Sequence, residues 1–177
     1  MASAQPLVTM ILRTTSWARH TSHLSLELVS VFGVTGPNRS EESTVRSLST
    51  NLPELLMAME FDGRALICIA EFSGGRYIQF RVESGATVTE VVSNRFLTEA
   101  NALNNDDQEH LRSIGFIEPS TSQRPNWRHE ISDSTGVAEV VRMANSAITS
   151  ALHVSPNEPV RIRTFEAPGD SKVRSSQ

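Results

Sequence analysis

Lysine is almost missing from this 177-residue chain, with Lys172 alone against fifteen arginines. Positive charge is in deficit overall: 16 basic residues face 20 acidic ones, a net charge of −4. That balance argues against nucleic acid or an anionic membrane as the partner, because both select a basic face. Cysteine occurs once, at Cys68, so no intramolecular disulfide can form, and a lone thiol suits a reducing compartment. No apolar run approaches the ~18 residues that a bilayer span needs. A glycine-rich phosphate loop is missing too, since Gly74-Gly75 joins two strand-like runs and lacks the lysine and the strand-to-helix context. What remains is an ordinary globular composition, 38% hydrophobic and 20% charged. A chain this long buries roughly 70% of its unfolded surface and needs no metal or disulfide staple.

The first forty residues differ from the rest. Between Met1 and Ser40 the only acid is Glu27, against Arg13, Arg19 and Arg39, and Ser and Thr are dense. The apolar stretch at 7–12 is short, with no charge before it and no small-residue cleavage site after it, so a secretory signal is not expected. An acid-poor, Ser-rich segment also fits an organellar transit peptide, but a partly disordered extension over 1–40 is the simpler expectation. Leu24, Leu26 and Leu28 alternate with polar residues as one edge strand would. The turn-rich run 33–42 is the expected boundary, followed by a domain over 41–166 and a disordered tail over 167–177.

Within that domain, Val45, Leu48, Leu52, Leu55, Leu56 and Met59 form a helical stripe, which Pro53 is expected to split into two helices. A strand over 57–61 turned by Asp62-Gly63 competes with this, but the good helix formers at 54–60 favour a helix ending before Gly63. Residues 64–72 are continuously apolar from Ala65 to Ala70, as expected of a strand buried on both faces. After Ser73-Gly74-Gly75, the run 76–83 alternates: Ile78, Phe80 and Val82 point one way, Tyr77, Gln79 and Arg81 the other. A second turn leads to a β-branched strand over 86–92. A short helix follows, with Asp106 and Glu109 at capping-box spacing, Leu103, Leu111 and Ile114 on one face, and Gly115 at its end. Trp127, His129 and Ile131 alternate as a fourth strand. Val137, Val140, Val141, Ala144, Ile148, Ala151 and Leu152 mark a last helix stopped by Pro156, and Val160 and Ile162 suggest an added edge strand. The fold class is therefore α+β: an antiparallel meander with helices on one face, in the order α-β-β-β-α-β-(β)-α.

The chemistry is sparse. His20 and His23 have metal-like spacing, but two ligands do not make a zinc site. Asp106, Asp107, Glu109 and His110 could hold a cation, yet acids at a helix start more simply cap free amides. Cys68, with His110 or His129, could form a nucleophilic pair, but a thiol flanked by Ile67 and Ile69 is expected to be buried and inert. Glu71 and Glu90, on what the spacing suggests are neighbouring strands, read as solvated carboxylates rather than an acid/base pair. No catalytic residue, metal ligand or cofactor-binding residue is assigned.

Four segments in order carry a resemblance: RYIQF (76–80), EVVSNRFL (90–97), LRSIGFIEP (111–119) and PNW (125–127). Together they resemble the actinobacterial TY-Chap domain family, related to type III secretion chaperones and YbjN-like proteins. There a Tyr-Val-Gln-Phe strand precedes a strand ending in Ser-Asn, a helix closing in Leu-Gly-Trp, and an Asn-Trp. Here Ile78 stands for the valine and Phe116 for the tryptophan, and the likeness spans about 45–154. It implies a non-enzymatic, cytoplasmic protein that binds peptide segments of a client, often as a homodimer, with no cofactor. The alternative is an accessory or regulatory domain held in a fixed complex without a peptide groove; an uncharacterised hydrolase or transferase is the remote third. Most signature residues are expected to hold the fold, and Tyr77, Gln79 and Arg81, opposite Phe80, are the expected partner contacts.

Overall fold

The computed structural model describes residues 39–62, 66–83, 86–131 and 136–166. The elements are β1 (Arg39–Thr44), α1 (Val45–Asp62), β2 (Leu66–Glu71), β3 (Tyr77–Glu83), β4 (Ala86–Val91), α2 (Asn105–Ser113), β5 (Trp127–Ile131), α3 (Val137–Ser146) and β6 (Pro159–Glu166). All six strands form one sheet in the order β1-β6-β2-β3-β4-β5, and every pairing is antiparallel. The meander β2-β3-β4 and the α+β class are as the sequence implies.

Two strands differ from expectation. β6 is not an edge: it lies between β1 and β2, because β1 covers its outer side. β1 itself occupies part of the run expected as a turn-rich boundary. Its sequence RSEEST has no apolar alternation, so its strand character comes from pairing with β6 rather than from burial. The observed order is thus β-α-β-β-β-α-β-α-β. The expected strand at Leu24–Leu28, the pair His20 and His23, and the tail beyond Glu166 lie outside the described residues.

α1 runs through Pro53 without a break. Pro53 forfeits the hydrogen bond to the carbonyl one turn back and clashes there, at roughly 3 kcal/mol. Leu48, Leu52, Leu55, Leu56 and Met59 are all buried on one face of the same helix. At about 1.5–3 kcal/mol for each such side chain, this outweighs the proline. Thr44 Oγ1 accepts from the Ser47 amide at 3.3 Å and caps the start.

α2 is capped two residues earlier than the Asp106/Glu109 spacing suggests. Asn104 Oδ1 accepts from the Asp107 amide at 3.0 Å, and Asp107 Oδ2 accepts from the Asn104 amide at 2.8 Å. Gly115 then turns the chain with φ of +98°, and a Cβ there would lie 3.1 Å from the His129 ring. The last helix widens into a π turn over Ala147–Ala151, which keeps Ala147, Ile148, Ala151 and Leu152 buried together. His153 follows in the left-handed region at φ of +51°, with Nε2 2.7 Å from Asp107 Oδ1.

One core joins these layers. Leu66, Cys68, Ala70, Ile78, Phe80, Val82, Val91, Val160 and Ile162 from the sheet meet the buried stripes of α1 and α3 and Leu111 of α2. Because every strand alternates, the residues between them point to the opposite face. β2 shows the consequence: its burial alternates, so Ile67 and Ile69 are only partly covered. The expectation of a strand buried on both faces was therefore half right.

Candidate functional site: the second face of the sheet

Strand register sets out the face opposite the helices as three rows. The first runs Glu42–Arg161–Glu71–Tyr77. The second runs Ser40–Arg163–Ile69–Gln79–Glu90–Arg128, and the third Phe165–Ile67–Arg81–Val88–Glu130. Ile67, Ile69, Phe165 and Val88 thus make an apolar centre, with charges around it. Val88 is buried yet stands apart from the helix-side core, as its place on this face requires.

The charges are matched in pairs. Arg161 Nε donates to Glu42 Oε1 at 2.8 Å, and Arg163 pairs with Glu71. Arg128 reaches Glu90 at 3.4 Å and Glu130 at 2.8 Å, and its hydrogen bond and charge hold the Glu130 carboxyl below its ordinary pKa. Glu71 and Glu90 are not on neighbouring strands, since β3 lies between them, and each carboxylate is engaged by a different arginine. Nothing in this geometry sets them up as an acid and a base.

The expected contacts sit here, and two of them belong to a network. The Tyr77 hydroxyl donates to Asn126 Oδ1 at 3.1 Å. Glu90 Oε2 accepts from Gln79 Nε2 and from Asn126 Nδ2, each at 3.4 Å. Burial pushes the Tyr77 phenol above its ordinary pKa; the Asn126 bond opposes this, and nearby Glu90 adds to it. Part of the Tyr77 ring packs against the core, so this residue braces β3 to the Asn126 loop as well as facing outward. Gln79 and Arg81 are half-buried beside it. In the sequence, Glu90 reads only as a solvated carboxylate and Asn126 only as part of the PNW segment, and nothing marks Ile67, Ile69 or Phe165 as outward-facing; the unbroken apolar run of β2 hides which of its residues face outward.

Other candidate groups are taken up structurally. The Cys68 thiol is fully buried, and desolvation pushes it up to about 12, so it is protonated. Asp107 caps α2 and binds His153, Glu109 pairs with Arg112, and His110 Nε2 lies 2.9 Å from Ser146 Oγ. These groups do not converge, and among the described residues no cluster of His, Cys, Asp or Glu is arranged to hold a metal.

The segments that carried the resemblance now have places. Asn94 clasps Leu103, donating to its carbonyl at 2.8 Å and accepting from its amide at 2.6 Å. Leu111, Phe116 and Trp127 are buried, with the Arg112 guanidinium 5.5 Å from the Trp127 ring centroid. These residues knit the end of β4, α2 and β5 into one corner. The family described as "T3SS (YopN, CesT) and YbjN peptide-binding chaperone 3", TY-Chap3, matches residues 44–165. The chain belongs to this family. The match starts at the last residue of β1 and ends within β6, so the TY-Chap3 unit takes in all three helices and the meander. No curated protein and no solved structure matches the chain. No described helix is long and apolar enough to cross a membrane.

Proposed function

We propose that this TY-Chap3 protein is a non-enzymatic, cytoplasmic chaperone-like module that holds an extended segment of a client on the sheet face opposite the three described helices. One observation carries the proposal: the apolar centre of half-buried Ile67, Ile69 and Phe165, with Val88 buried beside them, faces away from the three described helices, framed by arginine–glutamate pairs. An apolar patch with a polar rim is what a protein-binding surface presents. Tyr77, Gln79 and Arg81 run along its middle strand, and Tyr and Arg are the residue types that most often anchor interfaces. The family description supports a peptide as the partner.

A Tyr77→Ala, Arg81→Glu double variant tests this. With Tyr77→Phe as the control for the Asn126 bond, normal folding and loss of the client or of a homodimer is the expected result. A folded variant that binds unchanged would move the binding surface to the helix side. The accessory-domain alternative predicts one fixed partner rather than a set of peptides, and affinity measured across a peptide panel separates the two.

A further inference from the structure

The open face does not stop at β5. Across the outer edge of that strand the Ile117 amide donates to the Arg128 carbonyl at 2.8 Å, and the Arg128 amide donates to the Ile117 carbonyl at 3.0 Å. Residues paired in this antiparallel way carry their side chains on the same face. Arg128 belongs to the second row of the open face, so Ile117 lengthens that row to Ile69–Gln79–Glu90–Arg128–Ile117. Its chain neighbour Phe116 points the other way and is buried in the core, as alternation requires. Ile117 itself is 70% exposed, the most exposed large apolar side chain among the described residues. It lines a depression of about 110 Å³ together with Asn126, Arg128 and Glu130, which belong to the network and rows of the open face.

This stretch of the row has an apolar residue at each end and polar residues between. The charges in the middle are already matched, since Glu90 accepts from Gln79, Asn126 and Arg128, and Arg128 also pairs with Glu130. Four strand-to-strand steps separate Ile69 from Ile117, and at about 4.8 Å a step the two lie roughly 19 Å apart. An extended chain advances about 3.3 Å per residue, so roughly six residues cover that span. Six is an even number, so side chains at the two ends of such a segment point to the same side. A segment laid along any one strand meets Ile69 or Ile117, never both.

We propose that the open face selects extended client segments carrying two apolar side chains about six residues apart, with uncharged polar residues between them. One apolar side chain sits on Ile69 with Ile67 and Phe165, and the other sits on Ile117. This rests on the peptide-binding reading of the open face and adds the direction, spacing and chemistry of the segment. The segment crosses the strands from β2 to the outer edge of β5. Uncharged residues suit its middle because the carboxylates and guanidiniums beneath them already have partners.

Fluorescence anisotropy with three labelled synthetic peptides, built on serine, threonine and glutamine, tests it. The first carries two leucines six residues apart. The second carries them five apart, which sends them to opposite sides, and the third carries a single leucine. The six-spaced peptide should bind at least about fivefold tighter than either of the others, because only there does a second apolar side chain leave water. Ile117→Ser should reduce it to the affinity of the single-leucine peptide at an unchanged melting temperature, while Met57→Ser on α1 should leave it as it was. Equal affinity of the five- and six-spaced peptides, wild-type binding of the six-spaced peptide by Ile117→Ser, or no binding of that peptide would each overturn the proposal. If the single-leucine peptide binds and is lost only in the Tyr77→Ala, Arg81→Glu variant, while Ile117→Ser changes nothing, the open face stands and the spacing falls.

Discussion

Arg76→Ala should destabilise the protein far more than a surface arginine would, because this side chain ties three segments together. Arg76 Nη1 donates to the Leu152 carbonyl at 2.7 Å and to that of His153 at 3.3 Å, where the π turn after α3 ends. Its Nε donates to the Ser73 carbonyl at 2.9 Å, and Nη2 to Ser73 Oγ and Glu158 Oε1, both at 2.8 Å. The Arg76 and Glu158 side chains are 14% and 16% exposed. An exposed ion pair contributes about 0–1 kcal/mol, and breaking a fully buried one costs about 3–5. With the Leu152 carbonyl also orphaned, the expected loss is about 2–4 kcal/mol. At about 4 °C per kcal/mol for a domain of this size, the melting temperature should fall roughly 8–16 °C. Burial alone would raise the Glu158 pKa, but hydrogen bonds from Ser73 and the Arg76 charge outweigh it and hold the carboxyl below its ordinary value. A carboxyl whose folded pKa is depressed contributes stability above its unfolded pKa, about 4.3, and that contribution is lost as pH falls through the folded value. The Arg76→Ala penalty should therefore be full near neutrality and shrink on acidification below about pH 4.3. Urea denaturation followed by far-UV circular dichroism, for wild type, Arg76→Ala, Glu158→Gln and the double variant, measures both effects. A loss under about 0.5 kcal/mol, or a penalty that does not change with pH, would refute the reasoning.

Ile148→Ala should cost about 2–4 kcal/mol in the same urea titration, since Ile148 is fully buried in the π turn between the helices and the sheet; a loss within error would mean that this helix face is not packed. Gly115→Ala should cost about 1–3 kcal/mol, because φ of +98° strains any L side chain and the new Cβ meets the His129 ring; an unchanged midpoint would contradict the turn geometry after α2. Incubation with a metal chelator should leave the melting temperature unchanged, and a drop of several degrees restored by zinc would show a site that the described residues do not contain.

The parts of the fold legible in the sequence are those in which alternation and burial coincide. β3 reads directly, because Ile78, Phe80 and Val82 face the helices while Tyr77, Gln79 and Arg81 do not. α3 reads because its apolar spacing continues into the π turn. β1 does not: Glu41, Glu42 and Ser43 carry no hydrophobic signal, and only a partner 119 residues away, as in the Arg161–Glu42 pair, makes them a strand. The same missing neighbour made β6 look like an edge. Pro53 misled because a local rule, a roughly 3 kcal/mol penalty, was outvoted by five buried side chains on α1. At the site, the strand carrying Tyr77, Gln79 and Arg81 was legible, whereas the apolar centre was not. Ile67 and Ile69 are indistinguishable by sequence from Leu66 and Cys68, and Phe165 lies far along the chain, brought beside Ile67 only by β6 pairing.

Site-specific photocrosslinking tests the central claim most directly. A photoreactive residue replaces Gln79 on the open face, or Met57, which is exposed on α1 at the opposite side of the molecule. Crosslinks are formed in the native cell and the attached peptides sequenced. The account predicts that Gln79 captures extended segments of client proteins and that Met57 does not. Crosslinks confined to Met57, or equal at both positions, would contradict it.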